Sequence, residues 1–290
     1  MRIQLRNKIA VKKNIISGLL GALLSLGIFA ITYYFLDQSH LDKFLPRNKI
    51  EAIIYYPMIL IAPLTALTIH ELGHLLTGLF LGHKLKLFVV GLLGVKDENG
   101  DLRLFFNKNL SYFGGVAATV PKTEKDINPK SYSKVLIAGP ISSFVYFVVC
   151  LFVFIRFDTY LNSFFGLSAL TSLGLFLATT LPEKSGIMFT DRKRFQRLNK
   201  KGITQDAETA MYELISKSVI DNSFKNIDID KTHIMEQDKD STIQFWTAYL
   251  RYMFYKENNQ SEKEINYSKH LIKFKNDIPK AIWNSLKIDT

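Results

Sequence analysis

Apolar residues fall along this chain in three distinct patterns. Long uninterrupted apolar runs occupy Ile15 to Phe35, Ala52 to Leu81, Val135 to Ile155 and Tyr160 to Leu181, each near the roughly 20 residues needed to cross a bilayer. Between the second and third runs, Lys84 to Val95 and Asp101 to Phe106 are short and strand-like, separated by Asn99-Gly100, the dipeptide of a tight hairpin. The spacing predicts a β-hairpin over 84–107. Gly114 and Gly115 then mark a turn, and a lysine-bearing polar linker runs from Pro121 to Lys134. From Phe195 onward, polar residues dominate and apolar ones recur at helical spacing: Ala207, Met211, Leu214 and Ile215, then Phe245, Tyr249, Tyr252 and Met253, then Ile265, Leu271 and Phe274. The last two sets follow Ser241-Thr-Ile-Gln244 and Ser261-Glu-Lys-Glu264, both capping-box patterns. The whole pattern predicts an α-helical polytopic membrane protein of four spans, with a small β-hairpin insertion and a C-terminal cytosolic helical domain.

Composition and charge sharpen this picture. The chain is 48% hydrophobic with a formal net charge of +11, and its basic residues flank apolar runs instead of interleaving with aromatics in one patch. That distribution fits a bilayer-embedded protein and excludes nucleic acid as an expected partner. The first run exceeds the roughly 7–15 apolar residues of a signal-peptide core and lacks a small-x-small cleavage site, so it reads as a retained anchor. Arg2, Arg6, Lys8, Lys12 and Lys13 precede it, and Lys184, Arg192, Lys193, Arg194, Arg197, Lys200 and Lys201 follow the fourth run. By the positive-inside rule both termini are expected in the cytoplasm and the second run passes from outside to inside. The expected location is a bacterial cell membrane, crossed several times. Cys150 is the single cysteine, which rules out an intrachain disulfide.

The second apolar run carries the chemistry. Within it stands His70-Glu71-Leu-Gly-His74. On a helix, residues four apart share a face, so both imidazoles can reach one Zn²⁺ while Glu71 serves as general base for an attacking water. Ionisable groups inside an apolar span are costly enough that function is their default reading. A hydrolytic zinc site needs a third protein ligand and one open position. Glu98 falls in the expected hairpin turn, and His83 does not fit the extended three-histidine spacing. Asp191 is the better candidate, because Pro182 and Gly186 would let Ile187, Met188 and Phe189 fold back toward the membrane and deliver its carboxylate to the metal. The expected division is therefore 1–50, a basic N-terminus with an anchor and short outer loop; 51–192, the metal-bearing core with hairpin 84–107; and 193–290, cytosolic helices. His233 and His270 in those helices are expected at the surface.

These residues resemble the site-2 protease family of intramembrane zinc metalloproteases. His70-Glu71-Leu-Gly-His74 within a span matches the family's metal motif, Ala138-Gly139-Pro140 matches a feature of its next span, and Thr179-Thr-Leu-Pro182 followed by Asp191 resembles its Asn-x-x-Pro…Asp-Gly segment. The resemblance covers roughly Tyr55 to Asp191 and implies a three-span core. It also implies Zn²⁺ held by His70, His74 and Asp191, with Glu71 catalytic, acting on a membrane-embedded or membrane-delivered peptide near the cytoplasmic face. Two positions depart from the pattern: Thr179 replaces the usual Asn, and Arg192 the usual Gly. The expected partners are a membrane-bound peptide or protein substrate and the lipid bilayer, with the C-terminal helices offering a surface to a protein partner. Two alternatives stay open on sequence alone: a non-proteolytic scaffold or immunity-type protein that keeps the fold, and a transporter-like protein, against which stands the absence of an inverted repeat.

Overall fold

The computed structural model describes residues 42–290 except 99, 110–111, 182, 186–187, 279–282, 285, 287 and 289–290. The first expected span, Pro182 and Gly186 lie outside the described residues. Among those described, three helices are long and apolar enough to cross a membrane: α1 (Lys49–Phe80), α2 (Pro129–Arg156) and α3 (Asn162–Thr180). Helix α1 runs unbroken through Pro57 and Pro63 for 32 residues, about 48 Å at 1.5 Å per residue. It stops at Gly82, whose φ of +85° places it in the left-handed region. The N–H of Gly82 then donates to the Leu79 carbonyl and that of His83 to the Gly78 carbonyl, which is the Schellman termination.

A four-stranded antiparallel sheet follows, in the order β3-β2-β1-β4. Its strands are β1 (Lys84–Val90), β2 (Leu93–Glu98), β3 (Asp101–Phe106) and β4 (Val116–Val120). The expected hairpin over 84–107 is thus two consecutive hairpins. Gly91, at φ +58°, folds the run Lys84 to Val95 back on itself so that Val90 pairs with Leu93. The second turn falls between the paired Glu98 and Asp101, with Gly100 at φ +98°. The fourth strand, in the stretch between the Gly114-Gly115 turn and the expected linker, pairs with β1 and forms an edge of the sheet.

By internal contacts the chain divides into two units, one combining the chain up to Ala62 with Cys150–Leu167, the other combining Pro63–Val149 with the chain from Ser168. In the first unit the Phe44 ring packs 4.5 Å from that of Phe154, and Arg47 bridges Glu51 and Asp158 at 3.3 and 3.0 Å. The second unit holds the sheet, a close approach of α1 to α2, and every helix beyond α3. At that approach a Cβ on Gly73 would stand 2.3 Å from Ser142 Oγ and 2.7 Å from the Ala138 carbonyl oxygen. The two backbones therefore touch, as small residues allow in membrane helices.

After α3, a two-stranded hairpin of β5 (Lys184–Ser185) and β6 (Met188–Phe189) delivers the chain to α4 (Asp191–Asn199). Helices α5 (Ile203–Asp221), α6 (Thr232–Glu236), α7 (Ser241–Glu257) and α8 (Ser261–Ile272) complete the unit. Ala207, Met211 and Leu214 of α5 are buried against Met235, Ile243 and Leu250, and the aromatic stripe of α7 buries Phe245 and Tyr252 with Leu271. The caps differ from the expected ones. Asp240 caps α7 by accepting from the Thr242 N–H, and Gln260 precedes α8 with no side-chain cap, so neither Ser241 nor Ser261 serves.

Candidate metal centre

Helical spacing sets His70 and His74 on one face of α1, their rings 5.0 Å apart and nearly perpendicular. Both are buried in a span whose polar neighbours are few. Each imidazole uses its Nδ1 on α2: His70 pairs with Ser143 Oγ at 2.8 Å, and His74 with the Val135 carbonyl oxygen at 2.7 Å. A carbonyl can only accept, so His74 Nδ1 carries the proton and its Nε2 keeps a lone pair. Contacts of this kind orient metal-binding imidazoles.

Asp191, the first residue of α4, meets them. Its Oδ2 lies 3.5 Å from both His70 Nε2 and His74 Nε2. Burial acts to raise the Asp191 carboxyl; hydrogen bonds and charge from the two imidazoles, when these are protonated at Nε2, hold it well below the usual carboxylate range.

The donor set fits zinc. Two imidazole nitrogens and one carboxylate oxygen lie within 4.8 Å of one another. The 3.5 Å separations match the ~3.4 Å edge of a tetrahedron with bonds of ~2.1 Å. The other two residues weighed for the third position stand elsewhere: Glu98 pairs with Lys96 and Arg103 in the sheet, and buried His83 places Nδ1 3.3 Å from Thr119 Oγ1.

Glu71 is buried beside the histidines and accepts a hydrogen bond from the Ala117 N–H of β4. Gly115, at φ +93°, passes so near that a Cβ there would lie 2.6 Å from Glu71 Oε1. Glycine is required for both reasons. Gly139 is equally constrained, since its Cβ would stand 2.2 Å from His74 Nε2. The sequence motif Ala138-Gly139-Pro140 thereby acquires a specific cause: the imidazole lies on the glycine. Ser143, the Val135 carbonyl and Gly115 were not singled out as site residues by sequence reasoning, although Ser142-Ser143 inside an apolar run is a visible signal for the first.

All four side chains line one cavity of about 620 Å³. Its other walls are β4 with Gly114 and Gly115, Thr179 of α3, Met188 and Phe189 of β6, and Tyr212, Ile215, Ser216 and Val219 of α5. Thr179 donates its hydroxyl to the Leu175 carbonyl of its own helix at 2.9 Å, so it does not replace an asparagine donor aimed into the cavity.

No curated protein and no solved structure matches the chain. A family model described as Peptidase family M50 matches residues 58–284, well over half of the sequence, and the chain accordingly belongs to this family of membrane metalloproteases, the site-2 proteases.

Proposed function

We propose that the protein is an intramembrane zinc endopeptidase that hydrolyses a peptide bond in a membrane-embedded or membrane-delivered peptide near the cytoplasmic face. The observation that carries this reading is the convergence of His70 Nε2, His74 Nε2 and Asp191 Oδ2 in the cavity that also holds Glu71. His70, His74 and Asp191 would hold the zinc, which when bound supplies a Lewis acid for the scissile carbonyl and acidifies water toward a pKa of about 7. Glu71 takes the proton of the attacking water and returns it to the departing amine. The hydrogen bond from Ala117 and the close backbone of Gly115 restrict the carboxylate to one position for both transfers.

A substrate held in a helix hides its amides in its own hydrogen bonds and must be extended before attack. The outer edge of β4 supports a way to hold it, because that strand lines the cavity from Val116 to Val120 and among the described residues no other strand pairs with that edge, so an extended peptide can add to it beside the Ala117 N–H that Glu71 takes. A scaffold that merely kept the fold would have no need of a base, and the buried Glu71 beside a complete donor set favours the enzyme. The termini are proposed to be cytoplasmic, with the helices beyond 193 on the same side as the metal.

Purified Glu71→Gln protein should retain about one zinc per chain, as the wild type does, and peptide profiling of membranes should show that cleavage is lost. Zinc kept after loss of both His70 and His74 would sink the reading.

A further inference from the structure

Glu208 of α5 is completely buried, yet it lies outside the metal centre and no catalytic step uses it. A buried carboxylate without cationic partners is severely destabilising. Glu208 has two, both from α4: Arg194 Nε at 2.8 Å and Arg197 Nε at 2.9 Å. Each arginine is held at a second point. Arg194 Nη1 donates to Tyr132 Oη at 2.8 Å, and Arg197 Nη2 to Asp238 Oδ2 at 2.6 Å.

Asp191, Arg194 and Arg197 follow one another at steps of three, a single stripe along α4. That helix spans only nine residues and begins at Asp191 itself. Fixing it at Arg194 and Arg197 therefore fixes its rotation and advance, and with them the place of its first residue. Tyr132 belongs to α2, the helix whose Val135 carbonyl and Ser143 hydroxyl orient the two histidines. One guanidinium thus joins the helix that aims His70 and His74 to the helix that carries Asp191. A buried ion cluster adds little stability over apolar residues of equal volume, and its best use is to specify one arrangement.

Resting on the metal assignment above, we infer that Glu208 is a positioning residue. Through Arg194 and Arg197 it sets Asp191 in register with the two histidines, so that α5 is part of the machinery that builds the metal centre.

The test uses the full-length protein in detergent, with zinc affinity measured by chelator competition and coordination read from the visible spectrum of the cobalt(II)-loaded protein. Glu208→Gln keeps the side chain's size but removes its charge. Contacts directly behind a metal ligand are worth about 10–100-fold in affinity, so one residue further out we expect about a tenfold loss and a changed cobalt spectrum. Glu208→Asp should recover part of both. Leu271→Ala, which opens the neighbouring core of α7 and α8, should lower Tm while leaving affinity and spectrum at wild-type values. Wild-type affinity and spectrum in Glu208→Gln, or an equal loss of zinc in Leu271→Ala, overturns the inference. Should Glu208→Gln fail to fold, Tyr132→Phe decides, since it deletes one hydroxyl from Arg194: a weaker zinc complex supports the inference and an unchanged one overturns it. Wild-type protein without zinc, or Asp191→Ala protein binding zinc normally, defeats the metal assignment itself and is distinguished by that control.

Discussion

At Gly139 the room for a side chain is taken by the His74 ring, whose Nε2 would lie 2.2 Å from any Cβ. Gly139→Ala must therefore push that imidazole away, and overpacking of this kind costs about 1–3 kcal/mol. The expected outcome is a chain that still inserts and shows helical circular dichroism but loses most of its zinc, read by metal analysis after gel filtration; full occupancy would mean that His74 is not a ligand. The third ligand gives a sharper contrast. Asp191→Ala should abolish cleavage and weaken zinc binding, and Asp191→Glu should recover little because a ligand set tolerates only about 0.5 Å of displacement. Glu98→Ala should change neither, since Glu98 pairs with Lys96 and Arg103 in the sheet. The reverse result in a cleavage assay would move the third ligand to the hairpin. At the level of single residues, the helical face shared by His70 and His74 is readable from their spacing alone. Their Nδ1 partners are not, because Ser143 lies 73 residues beyond His70.

Among the elements, the strand that borders the site is the one the hydropathy pattern conceals. Val-Ala-Ala-Thr-Val is short, small and flanked by Gly115 and a polar linker, so it shows neither alternation nor length. Its partner β1 lies in a run whose internal turn depends on one residue, Gly91, adopting φ +58°. The caps of α7 and α8 miss their sequence signatures for a related reason: Asp240 competes with Ser241 one position away, and the serine instead receives a contact from Lys184 Nζ at 3.4 Å. Helix α5 contributes a wall of the cavity through Ile215, Ser216 and Val219. Val219→Trp should fill part of that volume and slow cleavage roughly tenfold or more by misplacing the peptide, with zinc affinity unchanged. Kinetics on a fluorogenic peptide in detergent, beside a chelator titration, would check both halves; wild-type turnover would show that α5 does not border the substrate path.

For the molecule as a whole, orientation in the bilayer is the property that links the metal centre to its substrate. Three described helices are apolar and long enough to span it, and exposed Leu102, Leu104 and Phe106 add an apolar face on β3. Basic residues cluster before the first apolar run and after the last. Reporter fusions at Asn48 and Thr159 should therefore read outside, and fusions at Asn128 and Thr290 inside. An outside reading at Asn128 would set His70 and His74 toward the wrong face and separate them from any cytoplasmic delivery of substrate.

Sequence alone determined the apolar runs, the shared face of His70 and His74 and the periodic core of α5 and α7, because hydropathy sums over adjacent residues and helical period is local. Only the tertiary structure set Asp191, already a candidate in the sequence, 3.5 Å from both histidines, brought the outer edge of β4 to Glu71, gave the side-chain space of Gly139 to an imidazole, and buried Glu208 between two arginines. Each of these depends on segments far apart in the chain meeting at distances of about 3 Å, and no local pattern of residues encodes such a meeting.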